Sequence, residues 1–255
     1  MTRNIASRLT SSIIKTVMSL LFVLALVIIF NESPVSAEQL DIMIDATGNA
    51  SKLTDGSYST TVDYSLGDNI IISSDTPIDS LYIIWDSPVS QWTLDTGSQK
   101  LICGTNGFLH EYIKLPESTE NLSINIHDTC RISDIYAFSE GDVPDYVQIW
   151  EKPCETADFL VFSTHADDEI LFLGGVLATY GGEASLPVQV CYLTNYWNGL
   201  HIREHEKLDG LWECGIRNYP VNGDFDDLFS ETLQQAESVY VYDDILDYVT
   251  SQIRR

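Results

Sequence analysis

Basic residues are scarce in this chain. It has 13 Lys and Arg against 38 Asp and Glu in 255 residues, a formal net charge of −25. That balance argues against nucleic acid and anionic lipid as partners, because both need Lys/Arg patches. Most of the carboxylates read as a solvated surface, and the excess is also compatible with bound Ca2+, which takes carboxylate ligands. Cysteine is sparse too: Cys103, Cys130, Cys154, Cys191 and Cys214 form neither a C-x-x-C pair nor a zinc-finger spacing. Five is an odd number, so at least one has no partner within the chain; Cys103 and Cys130 are candidates to pair, and Cys191 reads as a buried thiol in a strand. Neither G-x-G-x-x-G nor G-x-x-x-x-G-K-[ST] follows a strand, which sets nucleotide binding aside. Internal repeats and low-complexity tracts are also missing.

Only one long apolar run is present. Arg3, Arg8 and Lys15 precede fourteen apolar-rich residues, Val17 to Phe30, and the small residues Val35-Ser36-Ala37 follow. This order predicts a secretory signal over 1–37, cleaved after Ala37. The run is short for a membrane span, which needs about 20 apolar residues, although Ile13 and Ile14 keep an uncleaved anchor open. The expectation is a secreted or cell-surface protein with no membrane span after cleavage.

The remainder divides into two textures. Residues 38–143 hold short β-branched and aromatic runs at 69–73, 80–86, 109–115, 121–127 and 132–138, separated by turn formers such as "DTGS" and "GTNG". In "NLSINIH", Leu122, Ile124 and Ile126 alternate with polar residues, as in a half-buried strand. This spacing predicts an all-β sandwich, jelly-roll-like in outline. The opening "ASKLTDGSYSTTVDYSLGDNIII" and the closing "SDIYAF" resemble discoidin-like (galactose-binding-like) domains. That resemblance implies glycan contacts through loops at one end, with Trp85, Trp92 and Tyr112 as candidate stacking residues, although an aromatic in a strand is more often core. Residues 144–156, bounded by Pro144 and Pro153, read as a linker.

From residue 157 to 255 the period changes. "FLVF" (159–162) is a continuous apolar run, as in a parallel strand buried on both faces. Ile170, Leu173, Leu177 and Tyr180 then share one helical face, "VQVCYLT" is a second strand, and "REHEKLDGLWECG" reads as a helix closed by Gly215. A last helix is expected in "VYVYDDILDYVTSQIRR". Strands alternating with helices imply an α/β sheet of βαβ units. The fold class is therefore multi-domain: an all-β sandwich followed by an incomplete α/β, Rossmann-like domain.

Within "FLVFSTHADDEILFLGG", His165, Asp167, Asp168 and Glu169 sit where strand hands over to helix, the ligand-binding end of an open α/β sheet. Helix capping explains one Asp and Glu169, but not a His beside two adjacent Asp. Zinc explains the group, since a catalytic site takes three His or carboxylate ligands and keeps one position open. His165 and Asp168 would be two ligands. Asp167 would face elsewhere as general base, with Glu169 as a supporting or capping group. Gly174 and Gly175 each weaken a helix by about 1 kcal/mol, which suggests close packing on a strand.

At these residues the chain resembles the PIG-L/LmbE-like deacetylases. "THADDEILFLGG" is similar to that family's signature turn, except that Ala166 stands where the family usually has Pro. Thr194 at the end of "CYLTN", then Arg203 and Glu206 as Arg-x-x-Glu, then "WECGI", follow in the family's order. The resemblance implies Zn2+ on His165 and Asp168, Asp167 as base, and Arg203 holding substrate or the developing oxyanion. It also implies a reaction, hydrolysis of the acetamide of N-acetylglucosamine-containing glycans or glycoconjugates.

The family's third ligand is a His much further along, expected beyond Arg255, so activity of these 255 residues is expected to be poor. His201 and His205, i and i+4 in "HIREH", are candidate replacements. His110 and His127 read as ordinary surface or sheet residues. The competing function is a non-catalytic extracellular carbohydrate-binding protein with a degenerate hydrolase half.

Overall fold

A computed structural model describes residues 35–197 and 199–254. The predicted signal segment lies outside the described residues except for its last three. Ala37 already belongs to the folded unit, where its N–H donates to Asp142 O at 2.8 Å. No described helix is long and apolar enough to cross a membrane.

The β-rich half is one curled antiparallel sheet of seven strands. These are β1 (Met43–Asp45), β2 (Val62–Tyr64), β3 (Asn69–Trp85), β4 (Trp92–Asp95), β5 (Lys100–Cys103), β6 (His110–Asn125) and β7 (Cys130–Phe138). They run in the order β2-β7-β3-β6-β4-β5, with β1 paired to β3. Four of the runs expected as separate strands are halves of two long ones. β3 and β6 each continue through a polar stretch, with register breaks between Ser73 and Ile78 and between Ile78 and Ser80. One sheet that bends at those breaks replaces two facing sheets.

The alternation of side chains along β3 explains how the curl closes. Leu81, Ile83 and Trp85 enter the main core, while Tyr82 and Ile84 face the other way into a second cluster with Ala37, Phe138 and Val147. Trp85 and Trp92 are buried, and both indole N–H groups donate to Glu111 Oε2 at 3.0 Å. They are core residues and cannot stack on a sugar, which corrects that expectation. Cys103 and Cys130 do not form a disulfide.

The second half has a three-stranded parallel sheet in the order β10-β9-β8, built from β8 (Phe159–Ser163), β9 (Val188–Asn195) and β10 (Val221–Asp226). Helix α1 (Asp168–Val176), prolonged by a π-helical stretch over Leu177–Glu183, connects β8 to β9. Helix α2 (Ile202–Glu213) connects β9 to β10, and α3 (Leu233–Val239) and α4 (Tyr242–Ile253) follow. Gly174 and Gly175 do not approach a strand. A Cβ at Gly174 would meet only Ile170 of its own helix at 3.8 Å, and one at Gly175 would meet open space. The tight approach lies elsewhere, at Gly215, whose φ of +80° closes α2 and whose Cβ would fall 2.4 Å from Gly182 Cα. Gly215 N donates to Trp212 O and Ile216 N to Leu211 O, at 2.9 and 3.0 Å, the paired bonds of a Schellman cap.

From Ala37 onward the chain is one compact unit. The expected linker is packed within it. Trp150 is buried, and Glu151 exchanges backbone hydrogen bonds with Arg217 and Tyr219. Phe108 of the sheet half stacks on Tyr219 at 4.4 Å. From its N-cap, α2 reaches the sheet half at three positions four residues apart: His201 Nδ1 meets Asp86 at 2.9 Å, His205 Nδ1 meets His110 Nε2 at 2.9 Å, and Asp209 accepts from Tyr58 at 3.2 Å.

Candidate active site

The site grows from the carboxyl end of β8. Thr164 O accepts from both N and Oγ1 of Thr194 at the end of β9, at 3.1 and 2.7 Å, so the two strand ends are tied together. Glu169, 1% exposed, staples the turn by accepting from Asp167 N at 3.1 Å and Ser163 Oγ at 3.2 Å. The staple matters because Asp167 has φ +126°, a conformation rarely adopted outside glycine. Such strain costs about 1–3 kcal/mol and persists only where surrounding bonds hold it. Glu169 also acts on Tyr192 beneath it, whose hydroxyl burial raises well above its ordinary pKa, the carboxylate adding to the shift.

This twist sends adjacent carboxylates to different partners. Asp168 Oδ2 lies 3.1 Å from His165 Nδ1 and accepts from the His165 backbone N–H at 3.1 Å. Asp167 Oδ2 accepts from Arg203 Nη2 at 2.9 Å. The same nitrogen donates to Ala166 O at 2.5 Å, and Nη1 reaches Glu206 Oε2 at 3.1 Å. The hydrogen bond to Asp167 holds the Arg203 guanidinium charged. His165, Asp167, Asp168 and Arg203 are therefore brought together.

Arg203 is placed by a buried ion pair that the sequence did not disclose. Glu204 and Lys207, one helical turn apart in α2, meet at 2.6 Å with both side chains essentially inaccessible. Glu204 Oε1 accepts from Tyr196 N at 2.8 Å, and Lys207 donates to Asn222 Oδ1 at 2.8 Å. The pair thus locks α2 onto the loop after β9 and onto β10. Burial lowers the Lys207 pKa, and Glu204 opposes that shift.

A further acid joins the site from just beyond β10. Asp227 Oδ1 lies 3.2 Å from His165 Nε2, on the opposite side of the ring from Asp168. Tyr196 stands beside it, its phenol pKa raised by burial first and by Asp227 next. The residue pattern "DFDD" carried the only signal for this acid, and β10 had to be recognised before that signal meant anything.

The donor set can be tested against zinc. His165 Nδ1 and Asp168 Oδ2, 3.1 Å apart, are close enough to touch one ion at bond lengths of about 2.0–2.2 Å. Asp227 is not a third donor to that ion, because it meets the other ring nitrogen. Among the described residues, no three His, Cys, Asp or Glu side chains converge on one point. His201 and His205 are not replacements, since both are bonded to the sheet half. The pair fits zinc as two ligands of three. No ready cage for calcium occurs among the described residues either.

No family model matches the chain, and no curated protein does. Among solved structures, a pectin-binding carbohydrate-binding module is 13% identical over 42% of this chain and 96% of its own, with a TM-score of 0.30. The mycobacterial arabinofuranosyltransferase AftD is 12% identical over 39% of this chain and 11% of its own, at 0.32. A family two carbohydrate esterase from Cellvibrio japonicus is 12% identical over 63% and 52%, at 0.27. Scores this low carry no argument about chemistry.

Proposed function

We propose that the chain is an exported zinc-dependent deacetylase of N-acetylglucosamine-containing glycans or glycoconjugates, of the PIG-L/LmbE type, with its parallel-sheet half as the first part of a Rossmann-like catalytic domain. The observation that carries this reading is the divergence of Asp167 and Asp168, one turned to Arg203 and the other to His165.

In this reading His165 and Asp168 hold the ion, with a third donor from outside the described residues. A bound zinc ion supplies Lewis acidity and a nucleophile at neutral pH. Asp167 takes a proton from the attacking water and returns it to the leaving nitrogen as the acetamide C–N bond breaks, giving acetate and a free amine. Arg203 fixes Asp167 and presents its charge where the carbonyl oxygen becomes negative. Glu169 and Ser163 hold the strained turn that keeps these roles separate, and the curled sheet engages the glycan.

One observation favours a second reading. Among the described residues only two donors converge, as expected for an extracellular carbohydrate-binding protein with a degenerate hydrolase half. Acetate release from N-acetylglucosamine oligomers, with zinc and the third donor both supplied, distinguishes the two. Release that Asp167→Asn lowers by at least about 100-fold, within the usual worth of a general base, supports the deacetylase. Zinc binding without any acetate supports the alternative.

A further inference from the structure

A cleft of about 310 Å³ lies between the sheet half and α2, and nothing above uses it. Tyr58 and Tyr136 line it from the sheet half, Tyr146 from the connecting stretch, and Trp212 from α2. Its acidic groups are Asp209 and Glu213. Arg203 and Trp212 are nine residues apart in α2, about 13 Å along the axis and on opposite faces. The cleft is therefore separate from the His165 turn.

Three features define what it would bind. First, among the described residues no Lys or Arg is in ion-pair contact with Asp209 or Glu213, the Arg217 charge acting on Glu213 only from further off. Asp209 instead accepts from two neutral donors, Gln148 Nε2 at 2.6 Å and the Tyr58 hydroxyl at 3.2 Å. Burial raises its pKa to about 6, the mark of a carboxylate short of compensating charge. Second, aromatic faces attract cations, and the apolar C–H face of a pyranose chair can pack against them. Trp212 already does the former, with the Arg217 guanidinium 3.6 Å from its ring centroid. Third, a protein of net charge −25 with two carboxylates in the cleft repels phosphates and uronates.

We infer that this cleft binds an amino sugar, a pyranose carrying a free ammonium group, with its ring face against the tyrosines and its ammonium at Asp209. The inference rests on the deacetylase reading for the origin of the ligand, since hydrolysis of an N-acetyl group leaves that ammonium. Capturing the product away from the reacting centre would let the enzyme stay on a glycan that it has begun to deacetylate.

The test is calorimetry on the Asp167→Asn chain in EDTA, so that neither zinc nor turnover contributes. The ligands are a trimer of β-linked glucosamine, its N-acetylated counterpart, and trilysine as a charge-matched control. The expected result is saturable binding of the glucosamine trimer, with the N-acetylated trimer and trilysine each at least tenfold weaker. Asp209→Asn should weaken glucosamine binding at least tenfold. Tyr146→Ala, at a half-exposed position, should weaken it severalfold, with the melting temperature of the variant read alongside because the ring also packs on Phe138 and Tyr136. Absence of binding, binding of either control within tenfold of the glucosamine trimer, or indifference to both substitutions overturns the inference. Acetate release by wild type, with zinc and the third donor both supplied, is read separately. Cleft binding without release sinks only the deacetylase reading, and release without cleft binding sinks only this one.

Discussion

Asp167 and Asp168 are adjacent in the chain and face different partners, the first 2.9 Å from Arg203 Nη2 and the second 3.1 Å from His165 Nδ1. A regular helix start would leave both carboxylates near the same cluster of N–H groups. The positive φ at Asp167, held by Glu169, separates them; under the proposed mechanism that would leave one for the metal and the other for a proton.

Asp227 should fix the tautomer of His165. With a metal on Nδ1, an acceptor at Nε2 would keep the remaining proton there, as carboxylates do for metal-bound histidines in general. Asp227→Asn should therefore weaken zinc binding by about 10–100-fold. In nitrogen-15 spectra of the zinc-loaded protein, the His165 Nε2–H resonance should shift in the variant. An unchanged ring spectrum and unchanged affinity would remove Asp227 from the site.

The buried pair of His110 and His205 predicts acid sensitivity. Tyr82, His110 and His205 form a chain of contacts at 2.7 and 2.9 Å, and His205 Nε2 has no partner. Burial lowers the His205 pKa from 6.5 to about 4 and that of His110 well below its ordinary value. Both stay neutral when folded while the unfolded chain takes up protons, so their contribution is present above about pH 6.5 and lost as pH falls toward 4. Asp209, raised to about 6, titrates with the opposite sign over part of that range. The useful quantity is therefore a difference: the melting temperature of wild type should fall more steeply between pH 6.5 and 4 than that of a His110→Gln/His205→Gln variant. Parallel curves would contradict the burial of the pair.

Gly215→Ala should destabilise the chain by more than about 1 kcal/mol, because the native backbone is left-handed there and alanine disfavours it. The contact with Gly182 adds to this, since the new Cβ has no space. Gly175→Ala, in open space within α1, should be neutral or stabilising. Urea midpoints of the two variants measure both effects, and equal shifts would be inconsistent with the packing described.

Local pattern made some of this legible and tertiary packing hid the rest. The alternation of Leu122, Ile124 and Ile126 identified a strand because one face of it meets the core. The polar stretch 74–79 looked like a turn, whereas β3 bends through it as part of one strand. β10 was missed because Asn222-Gly223-Asp224 reads as a turn. Gly223 is needed in the strand, since a Cβ there would fall 2.5 Å from Leu193 O. His165, Asp167, Asp168 and Arg203 could be picked out because their chemistry is concentrated in two short motifs. His201 and His205 pointed to a metal only until the sheet half that they bind was in view. Trp85 and Trp92 suggested sugar stacking for the same reason, since Glu111, the acceptor that keeps both indoles buried, is distant in sequence.

Competitive zinc titration of the 255-residue chain against a chelator is the most direct measurement. Two donors, His165 and Asp168, should bind one zinc weakly; Asp168→Ala and His165→Ala should abolish binding, and Asp167→Asn should retain it. Zinc binding that survives Asp168→Ala, or that is lost in Asp167→Asn, would contradict the division of labour between the two aspartates.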